Sequence, residues 1–118
     1  FLYGDNVDVY NPKVIRATSG AILDVNFYIG DINDVNKIRR KGFCIVSSVL
    51  DKKESKNIDK LKIPSKNRVL VFGNEGKGVS RAILAVTDSF YYIPISRNIE
   101  SLNVSVAAGI SLYEFCKR

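Results

Sequence analysis

The chain contains no histidine. That absence excludes a Ser-His-Asp triad, a histidine general base and a histidine-ligated metal centre built from this chain alone. Methionine is also missing and residue 1 is Phe, so the chain is expected to begin inside a longer protein or to lack its true start, with part of its chemistry upstream. The only cysteines, Cys44 and Cys116, stand far apart with no CxxC spacing, which argues against a zinc site or a disulfide scaffold. Both have apolar neighbours and are expected to be buried free thiols in a cytoplasmic protein. No apolar run approaches the ~20 residues of a membrane span, and no signal-peptide pattern opens the chain.

What is present describes an ordinary soluble domain. The 118 residues suffice for one domain with a core but not for two. The net charge is +6, and residues 51–68 (DKKESKNIDKLKIPSKNR) hold seven Lys or Arg against three Asp or Glu. Arg39, Arg40 and Lys41 form a second basic patch. Together they suit a polyanionic partner, although either patch alone would pass as a solvated surface.

Apolar runs alternate with helical patterns. Asn11-Pro12 is a helix start, followed by helical spacing over residues 13–23, interrupted at Ser19-Gly20. Residues 25–29 read as a strand. Asp31 caps a helix that runs to Lys41 and stops at Gly42. A strand follows over residues 43–49, and the nearly all-apolar RVLVF at 68–72 reads as a strand buried on both faces of a parallel sheet. Residues 79–86 read as a helix, 90–93 as a strand and 101–117 as the last helix. The alternation predicts an α/β fold. Within the last helix, VSVAAGISLYEF carries apolar or small residues on nearly every side. Burial all round is implied, and a subunit interface is the economical source of it.

Residues 71–80 read VFGNEGKGVS, with three glycines in six residues just past a strand. Glycine permits positive φ and close approach to the backbone, so such a loop suits a ligand. It is not a Walker loop, because Val79 stands where lysine must be, and this disfavours a nucleotide-hydrolysing domain. Nor is it a dinucleotide fingerprint, because Arg81 stands where the third glycine belongs. A ligand loop and a plain glycine-rich turn both remain open on this pattern alone.

A second stretch, IPISRNIESLNVS at residues 93–105, adds to the first. With FGNEGKG upstream it resembles the SpoU-type branch of the SPOUT superfamily, RNA ribose 2′-O-methyltransferases with a C-terminal trefoil knot. Gly73 to Gly78 match the second motif of that family. Ile93-Pro94 and Glu100-Ser101-Leu102-Asn103-Val104-Ser105 match the third, and NPKVIRA with SGA near the start resembles the stretch after the first. The resemblance covers essentially the whole chain. The chain departs from it at Arg97, where many members carry glycine.

The resemblance implies a mostly parallel sheet with flanking helices, a segment from about Gly73 onward threaded through an earlier loop, and a homodimer paired through the C-terminal helix. It implies S-adenosyl-L-methionine as cofactor, held by Gly73, Ile93 and Leu102, with Ser47 and Ser48 near the adenosyl group, and it requires no metal. Glu75, Asn103, Ser101 and Asn74 match polar positions near the reaction centre, where Glu75 could orient an arginine of the first motif, which lies upstream of Phe1. Ser101 is also a natural helix N-cap, whereas Asn103 suits a helix interior poorly unless its amide has a task. Arg16, Lys77 and Arg97 are expected to contact RNA. Leu102 in Ser-Leu-Asn favours ribosomal RNA over tRNA as substrate. The rival from another class is a knotted domain that binds RNA or cofactor without turnover, which the sequence upstream of Phe1 would distinguish.

Overall fold

The computed structural model describes residues 1–63, 66–96 and 98–117. The chain divides into two compact units, Phe1–Lys37 and Ile38–Arg118.

In the first unit, β1 (Leu2–Tyr3) and β2 (Ile29–Gly30) form a short parallel pair. Between them lies α1 (Pro12–Ala17), whose start follows from its sequence. The Asn11 side chain accepts a hydrogen bond from the Lys13 amide at 2.9 Å, and Pro12 fills a first-turn position that needs no N–H. The helix ends at Ala17 because Ser19 and Gly20 take left-handed φ values of 51° and 82°. Ala21–Asp24 then forms a separate 3₁₀ turn. The strand expected over residues 25–29 shrinks to β2. Only two residues of β1 pair with it, and Val25, Tyr28 and Ile29 are exposed.

The helix α2 (Ile32–Arg40) contains the boundary between the units. Asp31 caps it, accepting from the amides of Asn33 at 2.8 Å and Asp34 at 3.2 Å. Gly42, at φ 88°, turns the chain away from it.

The second unit contains β3 (Cys44–Ser48), β4 (Lys56–Asn57), β5 (Arg68–Val71) and β6 (Ser89–Tyr92). They form a sheet in the order β4-β6-β3-β5, and every neighbouring pair is parallel. The α/β class and the parallel sheet agree with the sequence reading. Burial on both faces does not fall on RVLVF. β5 lies at the end of the strand order and is half-buried along its length. Full burial belongs to β3, flanked on both sides, where Ile45, Val46 and Ser47 expose nothing.

Among the described residues, two α-helices complete the unit, α3 (Arg81–Val86) and α4 (Val104–Cys116), with a 3₁₀ turn at Ile58–Lys60. α4 is fixed to the sheet through Tyr91. The Tyr91 ring meets Phe115 edge-on at 5.2 Å, and its hydroxyl donates to Ser111 Oγ at 2.8 Å. Ser111 in turn donates to the Ala107 carbonyl at 2.7 Å, so this buried polar chain is satisfied at each link. Val46, Ile58 and Leu61 pack with Tyr91 and Phe115 to make the core.

Asp88 ties the entrance of β6 to its neighbours. One carboxylate oxygen accepts from Arg39 Nε at 2.9 Å and Nη2 at 2.7 Å, and the other accepts from the Ile45 amide at 2.8 Å. Those bonds hold the Asp88 carboxyl below its usual range. The expectation of two buried thiols is corrected. Cys116, in the last turn of α4, is exposed, and Cys44 is only half-buried. Partial burial still pushes the Cys44 thiol up.

Candidate functional site

Three parallel strands of the second unit end side by side, and the chain that leaves each one enters the same cavity. Its volume is about 500 Å³. Residues 48–51 come from the end of β3, residues 72–79 from the end of β5, and Ile93 and Ile95 from the end of β6. Ser101, Leu102, Val104 and Ala107 close it from the start of α4, and Leu84 of α3 adds to its wall. Open α/β sheets bind ligands outside the carboxyl ends of their strands, and this cavity sits there.

The glycine loop is shaped by its own sequence. Asn74 and Gly78 exchange backbone hydrogen bonds at 3.0 and 2.8 Å, closing a tight hairpin with Glu75, Gly76 and Lys77 at its tip. Asn74 Oδ1 accepts from the Gly76 amide at 2.9 Å and the Lys77 amide at 3.2 Å. Gly78 takes φ 66°, a region glycine enters without steric cost. Gly73 is required for a different reason. A Cβ there would stand 2.2 Å from the Gly78 carbonyl carbon.

The start of α4 is set by Asn103, whose Oδ1 accepts from the Ser105 amide at 2.9 Å. Asn103 is therefore the N-cap, which corrects the reading of it as a helix-interior residue and of Ser101 as the cap. The helix begins three residues later than expected, and Ser101 and Leu102 are left in the loop that borders the cavity.

A model of the SpoU rRNA Methylase family matches residues 1–113. The chain belongs to the SpoU rRNA methylase family. Among curated proteins, this SpoU chain is 39% identical over 106 residues to an uncharacterized tRNA/rRNA methyltransferase of Borreliella burgdorferi, covering 88% of the chain and 45% of that protein. It is 45% identical over 85 residues to a tRNA (guanosine(18)-2′-O)-methyltransferase of Aquifex aeolicus, covering 70% of the chain and 39% of that protein. Its fold matches the crystal structure of an AdoMet-bound rRNA methyltransferase from Sinorhizobium meliloti with a TM-score of 0.87 at 25% identity, covering 98% of this chain and 44% of that one. The chain spans less than half the length of these relatives.

Most SpoU motif positions meet at the cavity. Gly73, Ile93, Leu102 and Ser48 line it, as do Asn74, Glu75, Ser101 and Lys77. Ser47 does not. It is fully buried, and Thr87, which donates to the Ile83 carbonyl at 2.8 Å, accepts the Ser47 hydroxyl proton at 2.8 Å. Asn103 is engaged as a cap and is absent from the lining. Arg16 is exposed in the last turn of α1, in the first unit. Arg97 lies outside the described residues. Sequence reasoning missed Val49, Leu50, Asp51, Phe72, Leu84 and Ile95. For all but Leu84 the available signal was position, since each lies at or just past the end of a strand that was foreseen.

Proposed function

We propose that residues 1–118 form the catalytic domain of an S-adenosyl-L-methionine-dependent RNA ribose 2′-O-methyltransferase, with ribosomal RNA as the preferred substrate. One observation carries this reading: the loop after β5, Ile93 and the segment before α4 all border a single cavity. Its volume of about 500 Å³ falls in the range of small-molecule sites. Phe72, Leu84, Ile93 and Leu102 give it apolar walls suited to the faces of an adenosyl group. The AdoMet complex of the Sinorhizobium relative supports the same ligand.

When bound, the cofactor supplies a methyl group on a good leaving group, so the chemistry needs no metal. The chain supplies orientation and proton handling. Ile93 and Leu102 cover the ligand and keep water out, while the hairpin held by Asn74 presents Glu75 at the cavity. Glu75 positions the proton acceptor, which the family resemblance assigns to an arginine of the first motif. Ser101 faces the acceptor hydroxyl, and the Asn103 amide nitrogen supports it while its oxygen caps α4. Lys77, Arg16 and Arg97 contact RNA phosphates.

Three finer elements belong to the same proposal. The insertion of β6 between β3 and β4 supports a C-terminal trefoil knot. Exposed Val106, Ile110, Leu112 and Tyr113 support a homodimer through α4. An RNA substrate supports a cytoplasmic location.

The test is transfer of label from methyl-tritiated S-adenosyl-L-methionine to ribosomal RNA and tRNA by the protein carrying this domain, followed by nucleoside analysis. A 2′-O-methylated nucleoside in ribosomal RNA is the expected product. Methylation of a base, or cofactor binding without transfer, contradicts the proposal, the latter in favour of a binding module. The Aquifex relative supports tRNA as the second reading, and the same assay separates the two.

A further inference from the structure

Beside the first cavity lies a second of about 270 Å³. The two share Val49, Leu50, Ile93 and Ile95, so the same four side chains border both. Lys52 and Tyr92 belong to the smaller one alone, and the Lys52 ammonium stands 5.5 Å from the centroid of the Tyr92 ring.

We propose that this smaller chamber receives the target nucleotide of the RNA, with its base against Tyr92 and a flanking phosphate on Lys52. The inference rests on the reading of the larger cavity as the cofactor site. Methyl transfer requires the attacking oxygen within bond-forming reach of the methyl, so the acceptor's chamber must border the cofactor's. A nucleotide that reacts inside a chamber leaves its stack, and an aromatic ring replaces the stacking it loses. An ammonium on a flexible stem is a point charge for phosphate.

The surroundings match a polyanion. Lys53 and Lys56 follow Lys52 in the chain and are exposed, and Lys56 lies in β4, in register with Tyr91 of β6. Of the nearby carboxylates, Asp51 is engaged in its own turn, where its Oδ1 accepts from the Lys53 amide at 2.8 Å, so Lys52, Lys53 and Lys56 outnumber exposed Glu54 and Glu100. A protein partner would cover exposed Leu50 and Ile99, but it would also have to desolvate Lys52 and Glu100 at the same rim.

The test measures binding of a fluorescein-labelled 12-nucleotide single-stranded RNA by anisotropy, with S-adenosylhomocysteine saturating. Lys52→Ala should weaken binding about fivefold and lower the salt slope by about one. Tyr92→Leu should weaken it about tenfold, and Tyr92→Phe, which keeps the ring, should retain it. Lys117→Ala, at the end of α4 away from the cavities, should leave binding unchanged. Cofactor affinity should be the same in every variant. Wild-type RNA affinity in Lys52→Ala and Tyr92→Leu, with cofactor still bound, overturns this inference and leaves the enzyme reading standing. A changed oligomeric state in Lys52→Ala with unchanged RNA affinity also overturns it, in favour of a protein contact. Failure of the wild type to bind cofactor overturns the underlying reading instead.

Discussion

The backbone of Gly73 lies against that of Gly78, so close that a methyl group on Gly73 would stand 2.2 Å from the Gly78 carbonyl carbon. The hairpin that presents Glu75 can therefore close only on a glycine. Gly73→Ala should force the loop open, lowering stability by about 2 kcal/mol and weakening cofactor binding about tenfold or more. Gly78→Ala carries only the penalty of its positive φ, about 1 kcal/mol. Thermal melts with and without cofactor check the pair. Equal effects from the two substitutions would contradict the crowding at Gly73.

Asn103 carries two assignments that substitution can separate. Loss of its side chain in Asn103→Ala removes the cap and should cost about 1 kcal/mol of stability. Asn103→Asp keeps the oxygen that accepts from Ser105 but removes the amide donor. It should melt like the wild type while single-turnover methyl transfer falls about a hundredfold. A wild-type rate in Asn103→Asp removes Asn103 from the reaction and leaves it as a cap alone.

The Asp88 carboxyl, held below its usual range by Arg39 and the Ile45 amide, makes acid stability predictable in sign. A depressed folded-state pKa contributes stability that is complete above the unfolded value, about 3.9, and disappears as pH falls through the lower folded value. Asp88→Asn should thus be less stable than wild type by a constant amount from pH 5 to 8. The gap should narrow below pH 4. Chemical denaturation across pH 2–8 measures it, and a gap that widens in acid would contradict the assignment.

The apolar surface of α4 has a simpler test. Leu112 is 53% exposed and Tyr113 67% exposed, an unfavourable state for a lone chain carrying Val106 and Ile110 beside them. Light scattering coupled to gel filtration should find a dimer, and Leu112→Glu should convert it to a folded monomer. A monomeric wild type would contradict the dimer.

The parts legible in the sequence were those with a local cause. Asn11 with Pro12, and Asp31 with Gly42, announce their helices because caps act within a few residues. The glycine loop announced itself because its shape depends on residues 73–78 alone. Three errors share a non-local origin. Ser47 and Ser48 are neighbours on a strand, where successive side chains face opposite sides. Only the folded register sends Ser47 to Thr87 and leaves Ser48 at the cavity. RVLVF reads as the most buried strand, yet its place at the end of the sheet is decided by pairings far along the chain. Ser101 and Asn103 both cap well, and the choice fell to Asn103 because residues 101–102 are drawn into the loop that borders the ligand cavity.

The measurement closest to the central claim is a calorimetric titration of S-adenosyl-L-methionine into this chain and into Leu102→Asp. Saturable one-site binding to the wild type, lost in Leu102→Asp while its circular dichroism stays unchanged, is the predicted result. No heat from the wild type at millimolar ligand, or equal binding by the variant, would contradict it.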